Sequence, residues 1–253
     1  MTIYKNKLPI LEYDTSPESI IKPERDGYHF PEKAVFAFLG DRVDTYALAH
    51  DAEIITTYET STTFFHVYKI QYEGEEITLV RAPVGAAPAA QVLEFMIGSG
   101  VRKIISIGAC GALVDLPENQ FFIAEEALRD EGTSYHYLPA ARTIKFNSAV
   151  ISKIEAMFQE QGFAAERCKS WTTDAFYRET KEMVLYRVSE GCQVVEMEGS
   201  ALAAVAEFRM VQFGLILFTA DTLAASEYYD ERTWGSDAKE ISLNLAFAAV
   251  SKL

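Results

Sequence analysis

KIISIGACGAL, residues 103–113, decides the class of fold. Ile104, Ile105 and Ile107 stand nearly side by side instead of alternating with polar residues, which suits a strand covered on both faces. Gly108 and Gly111 then flank what reads as a turn. A residue without Cβ lets the backbone approach a ligand or take positive φ, and the N–H groups of such a turn can hold an anion or a base edge. An ordinary turn after a strand fits the same residues.

Outward from this run, short apolar stretches alternate with amphipathic ones. AVFAFL (34–39), FFHVYKIQY (64–72), EITLVRAP (76–83), QFFIA (120–124), QVVEM (193–197) and GLILFTA (214–220) read as strands, with Glu73-Gly74-Glu75 as a hairpin turn. Ala89, Val92, Leu93, Met96 and Ile97 mark one face of a helix that Gly98 and Gly100 stop. Val150, Ile151, Ile154, Met157 and Phe158 repeat the pattern over 148–161. A small-residue helix covers 197–210, and the last helix starts at Asp237 with Glu240 closing a capping box. Strands alternating with helices predict an α/β fold, a three-layer sandwich with a central mixed, largely parallel sheet. Residues 1–32, broken by Pro9, Pro17, Pro23 and Pro31, read as an irregular N-terminal arm, and 33–253 as a single catalytic domain. Ligand sites are expected at the strand ends.

The chain has 253 residues, 49% hydrophobic and 24% charged, enough to bury a full core. Its formal net charge of −14 disfavours a nucleic-acid partner. Cys110, Cys168 and Cys192 are odd in number and lack CxxC spacing, so neither a disulfide framework nor a zinc site is expected. No HExxH occurs, and no metal is expected. With no secretory leader and no long apolar run, the reading is cytoplasmic, with no membrane partner.

Two further segments carry carboxylates. In VVEMEGSA (194–201), Glu196 and Glu198 end an apolar strand where a helix begins. Such acids either accept sugar hydroxyls or complement the helix dipole. In LFTADT (217–222), Asp221 follows a very apolar strand. Desolvation there would raise its pKa and suit a general acid; a cap for the next segment fits equally.

Taken together, SIGACGAL (106–113), ALRDEGTSYHYLP (127–139), TTDAFYRET (172–180) and VVEMEGSAL (194–202) resemble the nucleoside phosphorylase/nucleosidase superfamily. The resemblance runs over about residues 34–253. It implies a nucleoside substrate, no cofactor, inorganic phosphate as co-substrate, and a homo-oligomer, dimer or hexamer. Glu198 would hold ribose hydroxyls, with Met197 against the sugar and Glu196 beside it. Phe176 would stack on the base. Asp221 would protonate or hydrogen-bond purine N7. Ala109, Cys110 and Gly111 would line the pocket, and Gly40, Arg42 and Ser106 would face phosphate.

The pattern also departs from that family. Ser106 stands where phosphorylases carry an Arg, and Glu59, Thr60 and Ser61 stand where a neighbouring subunit lends another. Val84-Gly85-Ala86 replaces a Gly-x-Gly, which leaves Arg42 as the candidate cation and Arg81 or Arg102 as substitutes. Thr180 and Glu182 replace the uracil-binding Gln-x-Arg, which argues against a standard pyrimidine site, and Asp221 leans the expectation toward a purine or an unusual base. Phosphorolysis to free base and pentose 1-phosphate is the leading expectation. Hydrolysis of the methylthioadenosine/adenosylhomocysteine nucleosidase type, with Asp41 near the water, is the alternative, and a nucleoside-binding protein without turnover is the third. His136 reads as a structural histidine or a substrate contact. Tyr228, Tyr229 and Trp234 read as a lid, a subunit contact or a surface loop.

Overall fold

A computed structural model describes residues 2–24, 27–224 and 229–253. In chain order the elements are β1 (Ile3–Tyr4), β2 (Tyr13–Asp14), β3 (Lys33–Phe38), α1 (Arg42–Ala49), β4 (Glu53–Glu59), β5 (Phe64–Tyr72), β6 (Glu75–Arg81), α2 (Ala86–Gly98) and β7 (Lys103–Ala112). There follow β8 (Phe121–Asp130), β9 (Thr143–Lys145), α3 (Ser148–Glu160), β10 (Ala165–Thr173), α4 (Lys181–Ser189), β11 (Val194–Glu196), α5 (Gly199–Phe208), β12 (Gln212–Thr222) and α6 (Ser236–Ser251).

The continuous apolar runs become the centre of one mixed sheet, ordered β11-β10-β8-β12-β7-β3-β6-β5-β4 with β9 beside β8. The sheet also curls on itself. β11 pairs antiparallel with the end of β7, Val194 opposite Ala112 and Val195 opposite Gly111, so β7, β12, β8, β10 and β11 close into a ring. Helices α1, α3 and α6 pack on one face, α2 and α5 on the other. Phe36, Phe122, Phe158, Phe218 and Phe247 are fully buried in the layers between, each worth about 1.5–3 kcal/mol.

Local chemistry sets the boundaries. Glu73 and Gly74 both have positive φ, 50° and 84°, as a two-residue hairpin turn between β5 and β6 requires. Asn147 caps α3 by accepting from Ala149 and Val150 N–H. Thr180, at the position expected to read uracil in a pyrimidine enzyme, caps α4 by accepting from Met183 N–H.

Three expectations change. Residues 108–111 are strand, not turn: β7 runs on to Ala112, and neither Gly108 nor Gly111 has positive φ. Crowding explains the glycines, since a Cβ on Gly108 would lie 2.9 Å from Phe38 Cβ. The capping box at α6 does not form, because Gly235 is the cap residue and Glu240 pairs with Arg42. Within the arm, β1 and β2 form a small ladder, and a short turn at Pro9–Leu11 packs near residues 134–136.

Candidate active site

The carboxylates that the sequence singles out lie where the sheet closes. In β12 the pairing with β7 slips between Thr219 and Thr222, leaving Asp221 on a bulge. Bulges re-aim side chains and recur beside active sites. The Asp221 carboxyl lies against β7, with Oδ2 3.3 Å from where a Gly111 Cβ would stand. Gly111 thus lets Asp221, Val195 and Leu223 pack closely over the strand, where even one methyl would be tight. Burial pushes the Asp221 carboxyl up, while its own N–H, the Tyr229 hydroxyl and the charge of Arg232 pull the other way.

Glu198 closes the other side. Its Oε1 accepts from Gly85 N–H at 2.5 Å. Gly85 holds φ of 100° at the start of α2, a conformation that favours glycine. Burial, reinforced by the neighbouring Glu196 charge, raises the Glu198 carboxyl to about 8. Met197 is half-buried next to it, and its N–H also points to that carboxylate.

Glu196 turns away from the cavity side. Its Oε1 accepts from Ser170 Oγ at 3.1 Å and from Thr172 Oγ, and its Oε2 accepts from Glu198 and Gly199 N–H. With both oxygens engaged, it caps the first turn of α5 and fixes the backbone that presents Glu198. The dipole-complementing role therefore falls to Glu196, and Glu198 is left to reach Gly85 at the start of α2.

The strand alternation of β7 divides its three expected pocket residues. Cys110 is buried in the core with Sγ toward Phe218 O at 3.4 Å, and burial raises its thiol well above the ordinary value. Ala109 and Gly111 take the opposite face, Ala109 partly exposed. Phe176 sits half-exposed in a short turn with Tyr177, ring centroids 4.1 Å apart. Tyr228 lies outside the described residues. Tyr229 faces Asp221 and tilts against Trp234 at 6.3 Å.

The phosphate candidates are committed elsewhere. The Ser106 hydroxyl is buried and donates to Phe36 O at 2.7 Å. Arg42 pairs with Glu240 on α6. Gly40 opens the turn into α1 with φ of 56°. Arg102 donates to Ile97 and Val101 carbonyls. Arg81 stands at the end of β6, bound to Asp41 at 2.7 Å and Asp44 at 3.2 Å.

Gly85, singled out in the sequence within Val84-Gly85-Ala86, meets Glu198 from 113 residues away, a pairing no local pattern reveals. Three further residues escaped the sequence reading. Asp174 accepts from Gly132 N–H at 2.8 Å, and burial raises its carboxyl. Arg232 sits within the field of Asp221, donates to Leu116 O, and keeps Nη1 buried without a described partner. Glu179 has its carboxyl raised to about 7 by burial and by Asp221. The EGTS stretch itself is structural: Glu131 accepts from Thr133 and Ser134 N–H and from Ser200 Oγ, tying β8 to α5.

A separate cavity of about 420 Å³ lies under the arm, lined among others by Ile21, Glu94, His136, Tyr137 and Arg209. Its charges are already paired, Arg209 gripping Glu94 at 2.9–3.1 Å. The raised carboxyls lie outside it, Asp221 against β7 and Glu198 at the start of α5. No helix among the described residues is long and apolar enough to cross a membrane.

Comparison with known proteins bears on the fold and the family. The chain is similar in fold to uridine phosphorylase from Vibrio fischeri ES114, with TM-score 0.78, 22% identity, and coverage of 93% of this chain and 100% of that one. It is similar to AMP nucleosidase from Bacteroides thetaiotaomicron, with TM-score 0.70, 21% identity and 88% of each chain covered. In sequence it is 25% identical over 192 residues to guanosine phosphorylase of Halorubrum lacusprofundi, covering 73% of this chain and 76% of that protein. The chain spans between 64% and 76% of the length of the first curated relatives it matches. Residues 33–249 match the phosphorylase superfamily throughout, and the chain belongs to that family.

Proposed function

We propose that this protein cleaves the N-glycosidic bond of a purine nucleoside. The observation that carries the reading is the burial of two raised carboxyls, Asp221 against the end of β7 and Glu198 at the start of α5. Glu198 takes the ribose hydroxyls, Met197 packs on the sugar, and Phe176 stacks on the base. The C1′–N9 bond breaks with its electron pair going to the base, and a protonated Asp221 delivers its proton to N7.

The nucleophile that the geometry favours is water. Ser106 and Arg42 are tied to Phe36 O and Glu240, and the charge of Arg81 is matched by Asp41 and Asp44. Water adding at C1′ would lose its proton to a carboxylate of the Gly40 turn, Asp41 or Asp44. Phosphorolysis, with inorganic phosphate as co-substrate, is the second reading. Arg81 favours it as a cation beside that turn, as do the names of the relatives, and phosphate would then have to displace Asp41 from Arg81.

Homo-oligomerisation and cytoplasmic operation belong to the same proposal. Val84, Phe176 and Tyr177 are 70%, 50% and 87% exposed beside the site, an apolar rim that a second copy would cover. Three buried free thiols suit a reducing compartment.

The test is incubation with adenosine, inosine, guanosine, uridine and methylthioadenosine, with and without phosphate, following base and sugar by chromatography. Base and free sugar without phosphate support hydrolysis. Sugar 1-phosphate formed only with phosphate replaces it by phosphorolysis. If no nucleoside is cleaved while nucleosides still raise Tm, the chain is a binding protein and the enzymatic reading fails.

A further inference from the structure

Helices α2 and α5 begin beside each other, and they are fastened together at both ends. At the near end, the N–H of Gly85, just before α2, donates to Oε1 of Glu198, just before α5. At the far end, Glu94 of α2 takes the guanidinium of Arg209, the residue that closes α5. Arg209 Nε lies 3.1 and 2.9 Å from the two carboxylate oxygens, and Nη2 lies 3.0 Å from Oε1. The Tyr137 hydroxyl bonds the same carboxylate. The third nitrogen, Nη1, donates to Pro17 O of the arm at 2.8 Å. Glu94 is buried and Arg209 half-buried, so the pair is shielded from the water that weakens exposed ones.

Side-chain packing gives this helix pair little purchase along its axis. α5 carries Ser200, Ala201, Ala203, Ala204 and Ala206, whose short side chains make shallow ridges. Glu94 stands about 13 Å along α2 from Gly85, and Arg209 about 16 Å along α5 from Glu198, at a rise of about 1.5 Å per residue. A helix is stiff over that length, so a slip at the far end arrives at the near end. A shift of about 1 Å there takes Glu198 Oε1 out of reach of Gly85 N–H.

Many ion pairs between helices only stabilise. Two observations set this one apart: the planar fork engages both oxygens of Glu94, and the helices it joins are the two that meet at Glu198. We propose that Arg209 is a positioning residue. Its fork on Glu94 sets the axial register of α5 against α2, and that register holds the Glu198 carboxylate on Gly85 N–H. This inference rests on the reading of Glu198 as the group that takes the ribose hydroxyls.

The test compares full-length wild type, Arg209→Lys, Glu198→Gln and the double variant. Lysine keeps a positive charge beside Glu94 but has no fork. The first readout needs no substrate: hydrogen exchange of the glycine amides, followed by NMR. In Arg209→Lys, exchange at Gly85 should speed up at least about tenfold more than at Gly108 and Gly214, which lie in the paired strands β7 and β12. The second readout is kcat/KM for a nucleoside that the wild type cleaves. Arg209→Lys should lower it by about tenfold to a hundredfold, the scale of a misplacement of about 1 Å. Added to Glu198→Gln, the same change should lower it by less than about twofold, because the group it positions is gone. Exchange at Gly85 that is unchanged, or that rises only as much as at the strand glycines, makes Arg209 an ordinary stabilising residue and overturns the proposal. So does an equal loss of kcat/KM with and without Glu198. Faster exchange at Gly85 alone, with full activity in Glu198→Gln, keeps the clamp and overturns the role of Glu198 in the reaction instead. Should Arg209→Lys fail to fold, Glu94→Gln combined with Arg209→Met strands no buried charge and is read in the same way.

Discussion

Gly85 N–H donates to Glu198 Oε1 at 2.5 Å, joining the start of α2 to the start of α5. Two main-chain donors, Gly85 and Met197, cannot offset the removal of this carboxylate from water, so burial and the Glu196 charge hold Glu198 at about 8 instead of the ordinary 4.5. The folded chain thus keeps a proton that the unfolded chain has lost over that interval. The ligand-free protein should lose stability as pH rises from about 4.5 to about 8. Glu198→Gln should shallow the slope and bring Tm at pH 8.5 to or above that of the wild type, while activity falls by at least about tenfold. Glu196, also raised, leaves part of the slope in place. A Tm profile in Glu198→Gln that overlays the wild type would remove the charge argument for this residue.

Asp221 must carry a proton to act as the acid, so kcat/KM should fall as pH rises through its raised pKa. The positive field of Arg232 opposes that rise. Arg232→Met should therefore push the Asp221 carboxyl further up and carry the alkaline limb of the pH profile to higher pH. Asp221→Asn should lower kcat by about 10²–10⁴-fold, the usual range for a general acid. The idea fails if Arg232→Met moves the limb to lower pH.

The Arg42–Glu240 pair is solvent-exposed on both sides, 43% and 66%. Exposed pairs contribute about 0–1 kcal/mol. Arg42→Ala should leave Tm within a few degrees and leave any response to phosphate unchanged. A large rise in the KM for phosphate would show that Arg42 swings from α6 into the site, and phosphorolysis would regain the lead.

Much of the sheet could be read because burial writes itself into composition. Ile104–Ile107 and Leu215–Phe218 are covered on both faces and nearly uninterrupted in the chain. β4 offers no such run, being half-exposed at the sheet edge, and α4 buries only Val184 and Arg187 of its nine residues, too few for a stripe. At the site, sequence located the segments and missed the orientations. Cys110 and Gly111 are neighbours in the motif but lie on opposite faces of a strand, and Glu196 spends its oxygens on the helix start that Glu198 shares. The link of Gly85 to Glu198 carries no local signature, since its partner arrives only when the sheet closes.

The two glycines of the central run should respond differently to one added methyl. At Gly108 the new Cβ meets Phe38 Cβ at 2.9 Å, in a core with no slack. Gly108→Ala should cost about 1–3 kcal/mol of stability, read by denaturant unfolding. At Gly111 the nearest atoms are Leu223 Cδ1 and Val195 Cγ1 at 3.1 Å, then Asp221 Oδ2 at 3.3 Å. Those are ends of side chains, which yield by a few tenths of an ångström, so Gly111→Ala should fold with a smaller loss. Its methyl, however, presses on the Asp221 carboxyl, and kcat/KM should fall sharply while the Tm loss stays below that of Gly108→Ala. If Gly111→Ala turns over substrate with wild-type kcat/KM, the placement of the Asp221 carboxyl does not govern the reaction, and the acid must be sought among the other carboxyls of the cluster.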